Sequence, residues 1–283
     1  MRILIIGASG LLGNDLLGEW GRNEIIPATS RDADIRDIAQ VRQLVAHARP
    51  DWIILAAAYS DVDGGERNPE LAFAINRDGT KNVAIAANEH GAKLLYISTD
   101  YLFDGTSNRP YEPDDPIHPL NVYGMSKAAG ELAVREQMKQ WVVVRTSWLF
   151  GASRTCFPEK ILTAADTQSE LRVVDDQVGS PTYTRDLAVA IRKPIQADAH
   201  GVLNITNTGS CSWFEFAREI LRKAGRNKPI FPITTAQAAR PARRPAYSVL
   251  SPAAPAAYGI TLRSWHDALD AYLAELRQKG KLR

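Results

Sequence analysis

The chain has 283 residues, and its 34 Lys and Arg nearly balance 32 Asp and Glu, leaving a net charge of +2. That length buries a full core and suits one large α/β unit or two unequal lobes, while the charge balance implies no nucleic-acid partner. Cys156 and Cys211 without a Cys-x-x-Cys, five scattered histidines and no apolar run of membrane-span length argue against a disulfide framework, a zinc site and a membrane partner.

Ile3-Leu4-Ile5-Ile6 is continuously apolar, the pattern of a strand buried on both faces of a parallel sheet. No basic region followed by an apolar core and cleavage site precedes it, so a cytoplasmic location is expected. The strand runs into Gly7-Ala8-Ser9-Gly10-Leu11-Leu12-Gly13 and then a helical pattern through Leu16 and Leu17. Glycines there permit a tight turn and close approach of the backbone to a diphosphate at a helix N-terminus. After a first buried strand and opening a helix, this is the dinucleotide-binding context. It nominates Gly7, Ser9, Gly10, Leu11, Leu12 and Gly13 as cofactor contacts.

A second strand is predicted over 24–28 and a helix over 35–48, with Ile38, Val41, Leu44 and Val45 on one face. The second strand runs into Thr29-Ser30-Arg31, with no carboxylate at the end where a ribose 2′-hydroxyl is usually held. Hydroxyls and a guanidinium suit a 2′-phosphate instead, so NADPH is expected. NADH is the alternative because Asp32 and Asp34 follow closely. Ser30, Arg31, Asp34 and Ile35 are the candidate contacts there.

A third strand over 52–58 ends in Ala56-Ala57-Ala58, small enough for a cofactor ring to lie close. Helix dominates 66–88, a fourth strand over 93–98 delivers Ser98-Thr99-Asp100, and a fifth covers 141–146. Residues 172–174 and 202–205 read as further strands of the same sheet, separated by a helix over 182–195. Helices over 213–224 and 264–276 enclose a short extended piece at 229–233 and an Ala/Pro/Arg-rich loop or flap at 236–255. The expected fold is α/β, a Rossmann-type doubly wound parallel sheet with a smaller C-terminal substrate lobe. Residues 1–150, with 170–206 returning, form the cofactor lobe; 151–169 and 207–283 form the substrate lobe.

Tyr123 and Lys127 are four apart, with residues 126–133 reading as helix, so both stand on one face. A phenol of pKa about 10 is a poor proton carrier at neutral pH, and a neighbouring ammonium lowers that value. Thr99 or Ser98 at the end of the fourth strand adds a hydroxyl for a carbonyl oxygen. With the glycine turn, this makes an oxidoreductase constellation in which the cofactor supplies the hydride.

The G-x-x-G-x-x-G spacing resembles the extended short-chain dehydrogenase/reductases. Residues 56–63 (AAAYSDVD), 96–105 (YISTDYLFDG), 119–124 (PLNVYG), 145–148 (RTSW) and 176–182 (DQVGSPT), with Arg244-Pro245-Ala246-Tyr247-Ser248, resemble dTDP-4-dehydrorhamnose reductases. The resemblance covers nearly the whole chain. It implies reduction of the 4-keto group of a dTDP-6-deoxy-hexulose to dTDP-L-rhamnose, by a monomer or homodimer. It selects Thr99, directly before the Asp, over Ser98, and makes Thr99, Tyr123 and Lys127 catalytic, with Tyr123 and Lys127 also on the cofactor. Val62, Asp63, Thr99, Asp100, Tyr101 and Trp148 then surround the substrate; the other reading of Trp148 is a core aromatic. Arg244 would pair with the substrate diphosphate, against the reading of Arg240, Arg243 and Arg244 as a solvated turn. Some members of the family form Mg²⁺-bridged dimers. Asp15 matches one such carboxylate, but Arg185 stands where another is found, so Mg²⁺ is not expected. A 4,6-dehydratase puts Asp-Glu after the Thr, where this chain has Asp100-Tyr101. Another nucleotide-sugar reductase or epimerase, and a regulatory subunit resembling the methionine adenosyltransferase beta subunit, are the remaining alternatives.

Overall fold

The computed structural model describes residues 1–20 and 25–282. Strand β1 (Ile3–Ile6) leads through the glycine turn into helix α1 (Leu11–Trp20), and β2 (Ile25–Ala28) into α2 (Ile38–Ala48). Glu24, expected at the start of β2, lies outside the described residues. The Asp37 carboxylate caps α2 by accepting from the backbone of Ala39 and Gln40. Next come β3 (Trp52–Leu55), then α3 (Val62–Arg67), α4 (Pro69–Phe73), a π-helical turn (Ala74–Gly79) and α5 (Thr80–Glu89). The segment over 66–88 is helical almost throughout, as expected, with one break before Pro69, which can open a helix but not continue one.

Strand β4 (Lys93–Thr99) is followed by α6 (Val122–Gln137) and β5 (Trp141–Thr146). Helix α6 starts four residues earlier than the sequence pattern suggests, because Asn121 caps it by accepting from Gly124 N at 2.8 Å. Its first turn therefore carries Tyr123. Beyond β6 (Leu149–Phe150) and α7 (Phe157–Thr167) come β7 (Leu171–Val174), β8 (Val178–Gly179) and β9 (Thr182–Tyr183). Helices α8 (Thr184–Ala190) and α9 (Arg192–Gln196) precede β10 (Gly201–Asn204). The chain ends with β11 (Cys211–Ser212), α10 (Trp213–Lys223), β12 (Ile230–Ile233), α11 (Thr235–Ala238), α12 (Ala253–Ala256) and α13 (Trp265–Gln278).

Six parallel strands form the main sheet in the order β10-β5-β4-β3-β1-β2. The order reverses between β1 and β3, the switch point where ligands bind beyond the carboxyl ends of the strands. Alternate side chains serve two cores. Ile3, Ile5, Ile54, Leu95, Val142 and Val144 pack under α1 and α8, while Leu4, Ile6, Ile53, Leu55 and Val143 pack under α2 and α5. This two-sided burial is the physical reason the strands read as uninterrupted apolar runs.

One expectation is corrected. Residues 171–174 do not join the main sheet; β7 pairs in parallel with β12, Leu171 opposite Ile230. A third core forms there, with Val173 packed alongside Phe150, Phe216, Trp265 and Tyr272. The return to the main sheet therefore starts at α8, later than residue 170. Among the described residues, no helix is long and apolar enough to cross a membrane.

Candidate active site

The glycine turn is shaped by what a side chain would strike. Gly7 has φ of 97°, and a Cβ there would stand 2.5 Å from Ala57 N. A Cβ on Gly13 would stand 2.2 Å from Gly7 O. With both side chains absent the turn folds tightly, its Gly7 and Ala8 amides bonding Ala28 O and its Gly10 amide bonding Gly7 O, and an anion is left to meet the start of α1.

That turn forms one wall of a cleft of about 810 Å³ at the carboxyl ends of the strands. Of the expected cofactor contacts, Gly7, Ser9, Gly10, Leu11, Leu12, Gly13, Ser30, Ala56, Ala57, Ala58, Tyr123 and Lys127 line it. Of the expected substrate contacts, Val62, Thr99, Asp100, Tyr101 and Trp148 do so. The fold thus brings residues from six separate segments to one place.

Five expected contacts do not line this cleft. Arg31 is exposed just outside it, beside Ser30. The carboxylate of Asp34 is held bidentately by Arg36, at 2.5 Å to the nearer nitrogen. Ile35 is buried, and packs against Gly79. Asp63 and Arg244 face each other in a fork, with nitrogen–oxygen distances of 3.0 Å. Burial pushes the Asp63 carboxyl up, but the hydrogen bond from Arg244 and the amide of Ala242 hold it below the usual range. Arg240 also reaches Asp63, at 3.3 Å. The reading of a solvated turn fits Arg240 and Arg243, which are both exposed, while Arg244 is tied down by the Asp63 carboxylate.

Thr99 ends β4, and its hydroxyl donates to Asp100 Oδ1 at 3.1 Å while accepting from Tyr101 N at 3.2 Å. Asp100 is buried and also accepts from Ser248 Oγ at 2.6 Å. Burial pushes its carboxyl up to about 7, against the pull of the Ser248 and Thr99 hydrogen bonds. A protonated Asp100 no longer needs the Thr99 hydrogen, which is then free for a ligand oxygen.

Tyr123 is half-buried, edge-on to Tyr101 with ring centroids 6.0 Å apart. Burial pushes its phenol up to about 12, the Thr99 hydroxyl pulling the other way. Lys127 is buried, donates to Ile97 O at 2.7 Å and lies 3.9 Å over the Tyr96 ring. Burial pushes its ammonium down to about 7, with Glu131 opposing. The expectation that Lys127 lowers the Tyr123 pKa is corrected: the helix puts the two on one face, but the ammonium points to the sheet.

The cleft also holds residues not named as contacts from the sequence, Ser60, Arg154, Thr155 and Trp213, with the hydroxyls of Thr146 and of Ser98, the alternative to Thr99. Those two hydroxyls are buried without a hydrogen-bond partner, and Thr146 stands opposite Thr99 in the register. Trp213 stacks on Trp148 with ring centroids 3.5 Å apart and planes 7° from parallel. Trp148 itself has φ of 47°, uncommon for a bulky side chain, and the stack holds it there. Asp15 accepts from Thr184 Oγ1, while Arg185 pairs with Glu19 at 2.7 Å. Among the described residues, no cluster of acidic, His or Cys side chains is arranged to hold a metal ion.

Residues 1–278 match the family model for the RmlD substrate binding domain. The spore coat polysaccharide biosynthesis protein SpsK of Bacillus subtilis is 40% identical over 276 residues, 97% of either chain. The dTDP-4-dehydrorhamnose reductase of Mycobacterium tuberculosis is 40% identical over 283 residues, covering 96% of this chain and 92% of its own. The structure of dTDP-4-dehydrorhamnose reductase from Bacillus anthracis in complex with NADP superposes with a TM-score of 0.94 at 40% identity, covering 97% and 99% of the two chains. The fold, the cleft and these full-length similarities agree, and the chain belongs to the family of the RmlD substrate binding domain, that of the dTDP-4-dehydrorhamnose reductases.

Proposed function

We propose that the chain reduces the 4-keto group of a dTDP-6-deoxy-hexulose with NADPH, giving dTDP-L-rhamnose. The observation that carries this reading is the opening of Thr99, Tyr123 and Lys127 onto the same cleft as the glycine turn. The turn fits a dinucleotide, since its glycines pack backbone on backbone and bring the start of α1, the end that favours a diphosphate, to the wall of the cleft. Gly7, Ser9, Gly10, Leu11, Leu12 and Gly13 hold that part, with Ser30 and Arg31 at the 2′-phosphate and Ala56, Ala57 and Ala58 along the rest. When bound, the dinucleotide supplies the hydride.

Tyr123 then delivers its phenolic proton to the developing alkoxide, while Thr99 hydrogen-bonds the same oxygen and fixes the carbonyl. Lys127 holds the cofactor ribose and lends positive charge to the site. Val62, Asp100, Tyr101 and Trp148 shape the sugar pocket, and Asp63 keeps Arg244 in place until a diphosphate competes for it. Residues 1–150 with 184–205 make up the cofactor lobe, and the remaining segments the substrate lobe. A monomer or homodimer in the cytoplasm completes the reading, in keeping with two free, buried cysteines. The test is purified protein with dTDP-4-dehydro-L-rhamnose and NADPH, following cofactor oxidation; no turnover on this substrate overturns the reading.

The cofactor preference has a test of its own. Thr29 Oγ1 donates to Asp32 at 2.8 Å, so it is not the free donor that the sequence suggests. Asp32 and Asp34, the carboxylates that favoured NADH, are likewise occupied, by Thr29 and Arg36. Arg31 is left to meet the 2′-phosphate. Arg31→Ala lowers kcat/KM for NADPH roughly tenfold, the scale of a hydrogen bond to a charged group, and leaves NADH unchanged. An equal effect on both cofactors removes Arg31 from the site.

Cofactor affinity also depends on pH. As pH rises through about 7, Lys127 loses a positive charge and Asp100 gains a negative one. Both changes oppose an anionic ligand. NADH, which lacks the separately titrating 2′-phosphate, binds more weakly at pH 8 than at pH 6, on the order of tenfold at an effective dielectric of ~20. A flat dissociation constant over this range contradicts the two shifts.

A further inference from the structure

Both ligands of the proposed reaction carry a diphosphate, yet the cleft offers few cations. Among the side chains lining it, only Lys127 and Arg154 are basic, and the Lys127 ammonium is buried against Ile97 O. Arg240 and Arg244 are held by Asp63. Arg154 is exposed, and among the described residues its guanidinium has neither an acidic partner nor a carbonyl to donate to.

Its loop, residues 151–156 between β6 and α7, is fixed against the glycine turn. Ser153 Oγ donates to the carbonyl of Leu11, the first residue of α1, at 3.1 Å. On the other side Lys281 Nζ donates to Ala152 O at 3.0 Å. Arg154 is the next residue after the Ser153 anchor and lines the cleft, whose wall includes the end of α1 that favours negative charge. A planar fork of donors matches two phosphate oxygens.

We infer that Arg154 is a cofactor-binding residue that closes over the diphosphate of the dinucleotide, across from the start of α1. This rests on the reading of the cleft as a dinucleotide site, and deepens it. The cofactor is then held from both sides, by the turn after β1 and by the loop after β6.

The test is the affinity of Arg154→Gln and Arg154→Lys for NADPH and NADH, read by nicotinamide fluorescence, and for dTDP, read by calorimetry. Arg154→Gln weakens NADPH and NADH alike, by roughly ten- to a hundredfold, the range for a hydrogen bond to a charged group. Arg154→Lys recovers part of the loss, and dTDP binding is unchanged in both variants. Because the side chain is exposed and unpartnered, the melting temperature without ligand stays where it was. A loss confined to NADPH moves Arg154 to the 2′-phosphate, and a loss confined to dTDP moves it to the substrate; either overturns the assignment, as does unaltered affinity for all three. Wild-type protein that binds neither dinucleotide sinks the reading of the cleft itself, a result distinct from wild-type binding that Arg154→Gln leaves intact.

Discussion

Tyr123→Phe lowers turnover of dTDP-4-dehydro-L-rhamnose by about 10²–10⁴-fold, the usual contribution of a positioned general acid, and leaves NADPH affinity nearly unchanged. The substitution removes one oxygen and keeps the ring, which packs edge-on to Tyr101. The phenol is pushed up to about 12 by burial, so it carries its proton at neutral pH and is a donor, not a base. That is the protonation state reduction of a carbonyl requires. Thr99 cannot take over: it hydrogen-bonds the carbonyl oxygen, but an aliphatic hydroxyl is too weak an acid to deliver its proton. The measurement is kcat beside the NADPH dissociation constant from fluorescence. Undiminished turnover in Tyr123→Phe removes Tyr123 from the chemistry, and a large loss of cofactor affinity gives it a binding role instead.

The parts of this architecture that could be read from the sequence are those written in local patterns. Ile3-Leu4-Ile5-Ile6 and Trp52-Ile53-Ile54-Leu55 are apolar at every position because both faces of the sheet are covered. The turn from Gly7 to Gly13 must be glycine where backbone meets backbone, and that constraint shows in any reading of the chain. What stayed hidden depends on partners far away in sequence. Nothing local tells that Leu171–Val174 prefers Ile230–Ile233 to the main sheet, since a short apolar strand fits either. Helical spacing put Lys127 on the face of Tyr123, but Ile97 O and the Tyr96 ring, on another element, decide where its ammonium goes. Arg244 looked free until the fold set Asp63 against it. Trp213 and Arg154 enter the cleft on elements with no motif of their own. The only advance sign for Trp213 is aromatic placement at the start of an amphipathic helix, which core packing explains equally well.

Arg145→Met destabilises the protein by about 3–5 kcal/mol, the cost of leaving one member of a buried ion pair without the other. Arg145 and Glu131 are each 1% exposed, and they meet as a fork at 3.0 and 2.8 Å. The third guanidinium nitrogen donates to Pro113 O at 2.9 Å, so each of the three nitrogens has a partner. Glu131 lies one turn beyond Lys127 on α6, and Arg145 directly precedes Thr146 on β5. The pair therefore fastens the helix that carries Tyr123 and Lys127 to the sheet that carries Thr99. With Arg145 gone, Glu131 keeps, among the described residues, only Arg135, a half-exposed side chain 3.5 Å away, as a direct partner. The loss corresponds to a fall in melting temperature of roughly 10 °C for a chain of this size. Removing both charges tests the cause. In Arg145→Met with Glu131→Met, no uncompensated carboxylate remains, and apolar side chains of similar volume recover most of the stability. Urea unfolding of the two variants beside the wild type decides it: a single variant within about 1 kcal/mol of wild type, or a double variant no better than the single, shows that pairing of these charges does not hold the helix to the sheet.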